Sequence, residues 1–264
     1  MLDLRSAHAK FQRALELVDD FIAFKIEFER AISHCENLEL NSELNRDGVW
    51  DYKVVANDND YHQMQNRFSD ALANFDATIE HVAFALNRDL LTNTIDFNDV
   101  RYPITNESSR FGSQPLVQRL AGEGHWQVFH ALKSTSPWKR EGVSLWHLRQ
   151  LNNVGKHHTL LSMKLRIFVF SMMSNFSTDE HYFIPVDWNV NSISSSFLEG
   201  QTFLKSDHEL GDENIPKILR NSPLSWHVDV PVYRSDLDSI AQTDIEVILK
   251  QFAEQIERLL RDLS

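Results

Sequence analysis

SDALANFDATIEHVAFAL, residues 69–86, is the stretch on which the reading of the fold turns. Phe68, Ala71, Leu72, Phe75, Ile79, Val82, Ala83 and Leu86 recur at three- and four-residue steps. That spacing puts side chains on one side of an α-helix. The stripe extends the predicted helix over 61–91, and Asn57-Asp58-Asn59-Asp60 offers an N-cap at its start. So continuous an apolar face needs partners. The first is a long helix over 4–37, where Leu4, Ala7, Phe11, Ala14, Val18, Phe21 and Ile32 repeat at helical spacing and Phe24 and Phe28 widen the stripe. A second covers 143–161, with Leu145, Leu148, Leu151 and Val154 inward. Short helices are expected at 114–121 and 125–132, and a final amphipathic one at 243–263, capped near Thr243 or Asp244.

Other segments favour extended backbone. VWDYKVV (49–55) follows the turn signal Arg46-Asp47-Gly48 and is rich in β-formers. After a soft boundary near 162, the segments 164–173, 181–190, 196–206 and 225–234 all read as strands. The expected class is therefore α+β: a helical bundle with a C-terminal antiparallel sheet and a final helix. Two regions follow. Residues 1–162 are helical with one inserted strand near 49–55, and 163–264 are β-rich with the last helix, the two forming separate units or one compact domain.

Composition sets limits on function. The chain has 264 residues, 42% hydrophobic and 24% charged, with a formal net charge of −12. That charge repels phosphate backbones and disfavours broad DNA binding. Lys139, Arg140, Arg149 and Lys156 are the best candidates for a local basic patch, so RNA stays among the expected partners, beside a homodimer mate or another protein. Cys35 is the only cysteine and cannot form an internal disulfide, which fits a reducing compartment. No stretch approaches the roughly 20 apolar residues of a membrane span, and MLDLRSAHAKFQ lacks a signal-peptide core. The expected location is cytoplasmic, with no membrane partner. The glycine loops of nucleotide sites, the GxSxG elbow, CxxC pairs and HExxH are all missing from the sequence, so no cofactor is expected.

Two polar faces carry the candidate chemistry. On 69–86, Asp70, Asn74 and His81 fall within about 40° of one another at about 100° per residue, with Glu80 flanking. On SLWHLRQLNNVGKHHTLL (144–161), Arg149, Asn153, Lys156 and His157 fall within about 100°, away from Leu148 and Leu151. An imidazole moves protons near neutral pH, and fixed cations hold a phosphate or a developing negative charge. The same faces also suit a buried network that fixes helix packing. A metal reading would use His81, His157 and His158 with Glu80 and Asp70, but adjacent histidines diverge by about 100° on a helix, so no metal is expected.

The two segments also resemble a widespread group of bacterial proteins. There, a pattern of the form GDALHNLRSALDHLxxxL precedes a short FPI-like stretch and, later, LWxLxxLNNxDKHRxL. The counterparts here are Asp70-Ala71-Leu72, Asn74, Glu80-His81, Tyr102-Pro103-Ile104, and Leu145 to Leu160 with Asn152-Asn153 and Lys156-His157. This chain has Ser69 for the usual Gly, Asp76 for an Arg, Gly155 for an acid and His158 for an Arg. More distantly, the helices look like the HEPN superfamily of RNA-cleaving and defence-associated proteins. That likeness implies metal-independent RNA cleavage between two protomers, although Asn152 stands where the family's Arg would. Its expected site comprises His157 as acid or base, Arg149 and Lys156 on the phosphate, Asn153 and Asn74 orienting, and His81 with Glu80 in support. Two functions are thus expected as alternatives: a HEPN-like ribonuclease or toxin-type effector, or a non-enzymatic interaction or ligand-binding module whose polar cluster is structural.

Overall fold

A computed structural model describes residues 2–33, 38–44, 46–48, 50–56, 58–92, 94–96, 99–157, 164–169, 182–183, 195–198, 202–206, 224–229, 237, 240 and 243–264. Side chains are described over 2–28, 30–31, 43–44, 46–48, 50, 62–92, 94–96, 99–153, 237, 240 and 243–264.

The helices follow the apolar stripes. They are α1 (Arg5–Ser33), α2 (Asp58–Leu90), a 3-10 helix (Ser108–Ser113), α3 (Pro115–Gly122), α4 (Trp126–Ser134), α5 (Leu145–His157) and α6 (Ile245–Leu263). The chain divides into two compact units, neither continuous in sequence: Met1–Ile22 with Gln65–Ser162 and Val230–Ser264, and Ala23–Met64 with Met163–Asp229. Ser162 and Met163 fall on opposite sides of that division. The final helix, however, belongs with the N-terminal helices.

In the first unit α1 and α2 run antiparallel. Phe11 meets Phe75 at 6.2 Å and Phe21 meets Phe68 at 5.9 Å between ring centroids. At the other end of α2 the Asp3 backbone N–H donates to Asp89 Oδ2 at 2.8 Å. The stripe positions Phe68, Phe75, Ile79, Val82 and Leu86 are fully buried. Burial of such side chains contributes about 1.5–3 kcal/mol each. α6 buries Ile245, Ile248, Leu249, Phe252, Ile256, Leu259 and Leu260, and packs on α4 and α5. Its start is held by Asp244, whose Oδ1 accepts the Glu246 N–H at 2.7 Å.

The expected class needs correction. The protein is not an α+β fold built on a C-terminal antiparallel sheet. Of the residues described with their side chains, 72% lie in seven helices, strand is limited to one short stretch, and no sheet forms among them. In the second unit the backbone alone shows antiparallel ladders: β1 (Leu38–Leu44), β2 (Trp50–Ala56), β6 (Thr202–Ser206) and β4 (Tyr182–Phe183) in the order β1-β2-β6-β4, and separately β5 (Ser195–Leu198), β3 (Lys164–Val169) and β7 (Leu224–Asp229) in the order β5-β3-β7. The physical reason for the difference is general. β-branched and aromatic composition says that a segment favours extended backbone; it does not say that such segments assemble into one layer that carries the core. Here the described core is made by the helical stripes.

The sequence also missed β1. Residues 39–48 read as a polar stretch ending in a turn, yet Leu38–Leu44 is strand β1, in which Leu38, Leu40 and Leu44 alternate with Glu39, Asn41 and Glu43. The hairpin pairs Leu40 with Val54 and Leu44 with Trp50. Gly48, at φ 77°, supplies the left-handed residue of its turn.

Candidate functional site

The polar centre of the first unit is built where α2 faces α5. Asp76 and Glu80 are four residues apart on α2, so they share one side of that helix. Arg149 and Asn152 are three apart on α5 and likewise share a side. Arg149 Nε donates to Asp76 Oδ1 at 2.7 Å, and an Arg149 terminal nitrogen donates to Glu80 Oε1. Asn152 Nδ2 donates to the other Asp76 oxygen, Oδ2, at 2.7 Å. The second Glu80 oxygen accepts the Tyr102 backbone N–H at 3.2 Å. Both oxygens of each carboxylate therefore have a donor. The three charged side chains keep 19%, 9% and 17% of their surface for Arg149, Asp76 and Glu80.

The neighbouring chain is arranged by the same economy of polar groups. Tyr102 is buried, and its hydroxyl lies 3.1 Å from Thr135 Oγ1. Thr135 Oγ1 donates to the Leu132 carbonyl at 2.8 Å, so it takes the Tyr102 proton as acceptor. The start of α5 is held from within: His147 Nδ1 accepts the Ser144 backbone N–H at 3.2 Å, with Ser144 Oγ at 2.9 Å from the same nitrogen. His147 thus reaches back to the residue before the helix as a capping-box glutamate does.

Two carboxylates share the Arg149 guanidinium. Burial is the largest influence on Glu80 and raises its carboxyl; Arg149 and the Tyr102 N–H pull it down, Asp76 pushes it up, and it ends above its ordinary value. For Arg149 burial works against the charge, but Asp76 and then Glu80 outweigh it and hold the guanidinium above its usual range. The two shifts point opposite ways, since one favours ionisation and the other disfavours it. Both follow from one buried contact, in which burial raises Glu80 by more than the guanidinium lowers it. Burial also pushes the Tyr102 phenol well up.

Of the candidate residues, the fold brings Arg149 and Glu80 into direct contact, while Asn74 and His81 have other partners. Asn74 Nδ2 donates to the Asp70 carbonyl in its own helix at 2.9 Å. His81 turns to α1, its Nδ1 2.9 Å from Ser6 Oγ, with Phe84 edge-on at 6.5 Å. Asn153 is half-buried on α5. Lys156 and His157 fall within α5, but their side chains, and all of His158, lie outside the described residues. So does the His81–His157 separation on which a shared catalytic cleft depends. Among the described residues no group of three or more His, Cys, Asp or Glu could hold a metal ion. No helix there is long and apolar enough to cross a membrane.

Sequence reasoning passed over Asp76 and Asn152 as site residues, and both are central. The available signal was an acid at 76 inside the apolar stripe, four residues before Glu80, and an amide three residues after Arg149. No family model matches this chain, and no curated protein or solved structure matches it either.

Proposed function

We propose that this protein is a non-enzymatic interaction module, and that the Arg149 cluster is the structural pin of its helical unit. The observation that carries this reading is the closure of Arg149 by Asp76 and Glu80. A ribonuclease of the expected kind needs that guanidinium on a scissile phosphate. Here its Nε and one terminal nitrogen donate to two carboxylates of the same chain, and a phosphate brought to it would meet their negative charge first. The His81 imidazole supports the same reading, because it is engaged with Ser6 on α1 and not with the Arg149 cluster.

The test compares RNA cleavage by the purified wild-type chain with cleavage by His157→Ala and Arg149→Lys variants, in the presence of a chelator. The expected result is no cleavage above buffer in any of them, and a lowered melting temperature in Arg149→Lys. Cleavage by the wild type that His157→Ala abolishes without loss of fold would overturn the module in favour of the ribonuclease.

A further inference from the structure

The face of α4 that looks away from the core has an unusual make-up. Trp126 is 55% exposed. Phe129 is half-buried, and His130 and Lys133 are exposed. At spacings of three, four and seven residues these four side chains lie together on one side of the helix, opposite the buried Ala131 and Leu132. They also touch one another. Trp126 sits edge-on to Phe129 at 5.8 Å, His130 edge-on at 5.5 Å, and Lys133 Nζ lies 6.0 Å from the Phe129 ring centre.

This face rests on a firm base. Phe129 packs on Phe111 at 5.8 Å, and Phe111 on Trp138 at 5.9 Å. Trp138 is fixed by backbone: the Thr105 N–H donates to the Pro137 carbonyl at 2.9 Å, and the Lys139 N–H to the Thr105 carbonyl at 3.3 Å. The aromatic series thus runs from buried Phe111 outward to Trp126. A large, pre-ordered aromatic at the end of such a series costs little entropy to bury, which is the anatomy of an interface anchor.

The charge around it says what kind of partner it suits. Lys133 lies on the face itself, and exposed Arg110 and Lys139 adjoin in sequence Phe111 and Trp138, the rings beneath it. Arg110 has Glu107 at 3.8 Å, which leaves Lys133 as the cation on the face itself. The net charge of −12 repels a long polyphosphate more than a short carboxylate-bearing segment. Two copies of the chain paired symmetrically here would set Lys133 against Lys133, which disfavours self-association through this face.

We infer that the Trp126–Phe129–Lys133 face of α4 is a docking surface for an acidic protein segment that carries apolar anchors. The inference rests on the interaction-module reading and supplies its partner class. Trp126 takes the apolar anchor in the centre, and Lys133 pairs with a carboxylate at the rim.

The experiment uses the full chain and four labelled probes: a short peptide of alternating Glu and Leu, a peptide of Glu alone, a peptide of alternating Lys and Leu, and an oligouridylate. The Glu–Leu peptide is expected to bind best. Trp126→Ala should weaken it by about tenfold or more, as truncation of a hot-spot aromatic does, without lowering the melting temperature. Lys133→Glu should weaken the Glu–Leu peptide and strengthen the Lys–Leu one. Any of four results overturns the inference: no probe binds, Trp126→Ala leaves Glu–Leu binding unchanged, the Glu-only peptide binds equally well, or the oligouridylate binds more tightly and depends on Trp126. RNA cleavage by the wild type would remove the module reading and leave these binding results standing, so the two failures can be told apart.

Discussion

Replacing Arg149 by methionine is the sharpest perturbation of this molecule. Methionine keeps most of the side-chain volume and removes the charge. Asp76 and Glu80 are then left facing the same buried space, with 9% and 17% of their surface exposed. Breaking a buried pair by removing one partner costs about 3–5 kcal/mol, because the other charge stays buried and uncompensated. At about 2–4 °C per kcal/mol for a chain near this size, the melting temperature should fall by about 6–20 °C. The assay is calorimetry and urea unfolding at neutral pH and low salt. Arg13→Met is the matched control: its partner Glu16 is on the surface, the two side chains keeping 55% and 52% of their area, and exposed pairs contribute about 1 kcal/mol at most. The cause can be separated from simple loss of packing by adding Asp76→Leu. With the guanidinium gone, that second change removes a buried charge, and Glu80 can relieve the remainder by taking a proton. The double variant should therefore melt above Arg149→Met alone, less about 1 kcal/mol for the acceptor Asn152 loses. A fall under about 1 kcal/mol in the single variant, or a double variant that is no better, refutes the account of the cluster as a structural pin.

Two further outcomes follow from the same structure. The Glu80 carboxyl is raised above its ordinary value, mainly by burial. A raised folded-state value means that its contribution is fully present below the unfolded value of about 4.3 and is lost as pH rises through the higher folded one. Glu80→Gln carries no such titration, so its stability relative to wild type should improve as pH climbs through that window; a flat difference across it counts against burial raising the Glu80 carboxyl. Asp244→Ala removes the side chain that accepts the Glu246 N–H at the start of α6 and should cost about 1 kcal/mol, read as a shift in the urea midpoint with an unchanged slope.

Much of the helical architecture is legible in the sequence, because an α-helix is written in its own residues. The stripe from Phe68 to Leu86 and the Phe11 and Phe21 positions of α1 specify amphipathic helices wherever they are packed, and they are the residues found fully or nearly fully buried. The Asp244 cap and the turn at Gly48 are equally local. The class of the fold was not legible in the same way. Segments after residue 163 contain the right residues for strands, but only the packing decides which elements form the described core, and helices form it.

The candidate site divides along the same line. Sequence alone determines that Arg149 and Asn152 share a face of α5 and that Asp76 and Glu80 share a face of α2, since both pairs are set by helical pitch. It does not determine that those faces meet. Arg149 and Asp76 are 73 positions apart, and helical periodicity carries no term that links one helix's rotation to another's. Tertiary structure decided that link: the apolar stripes of α1, α2 and α6 set how the helices turn, and the turn places two carboxylates around the one guanidinium.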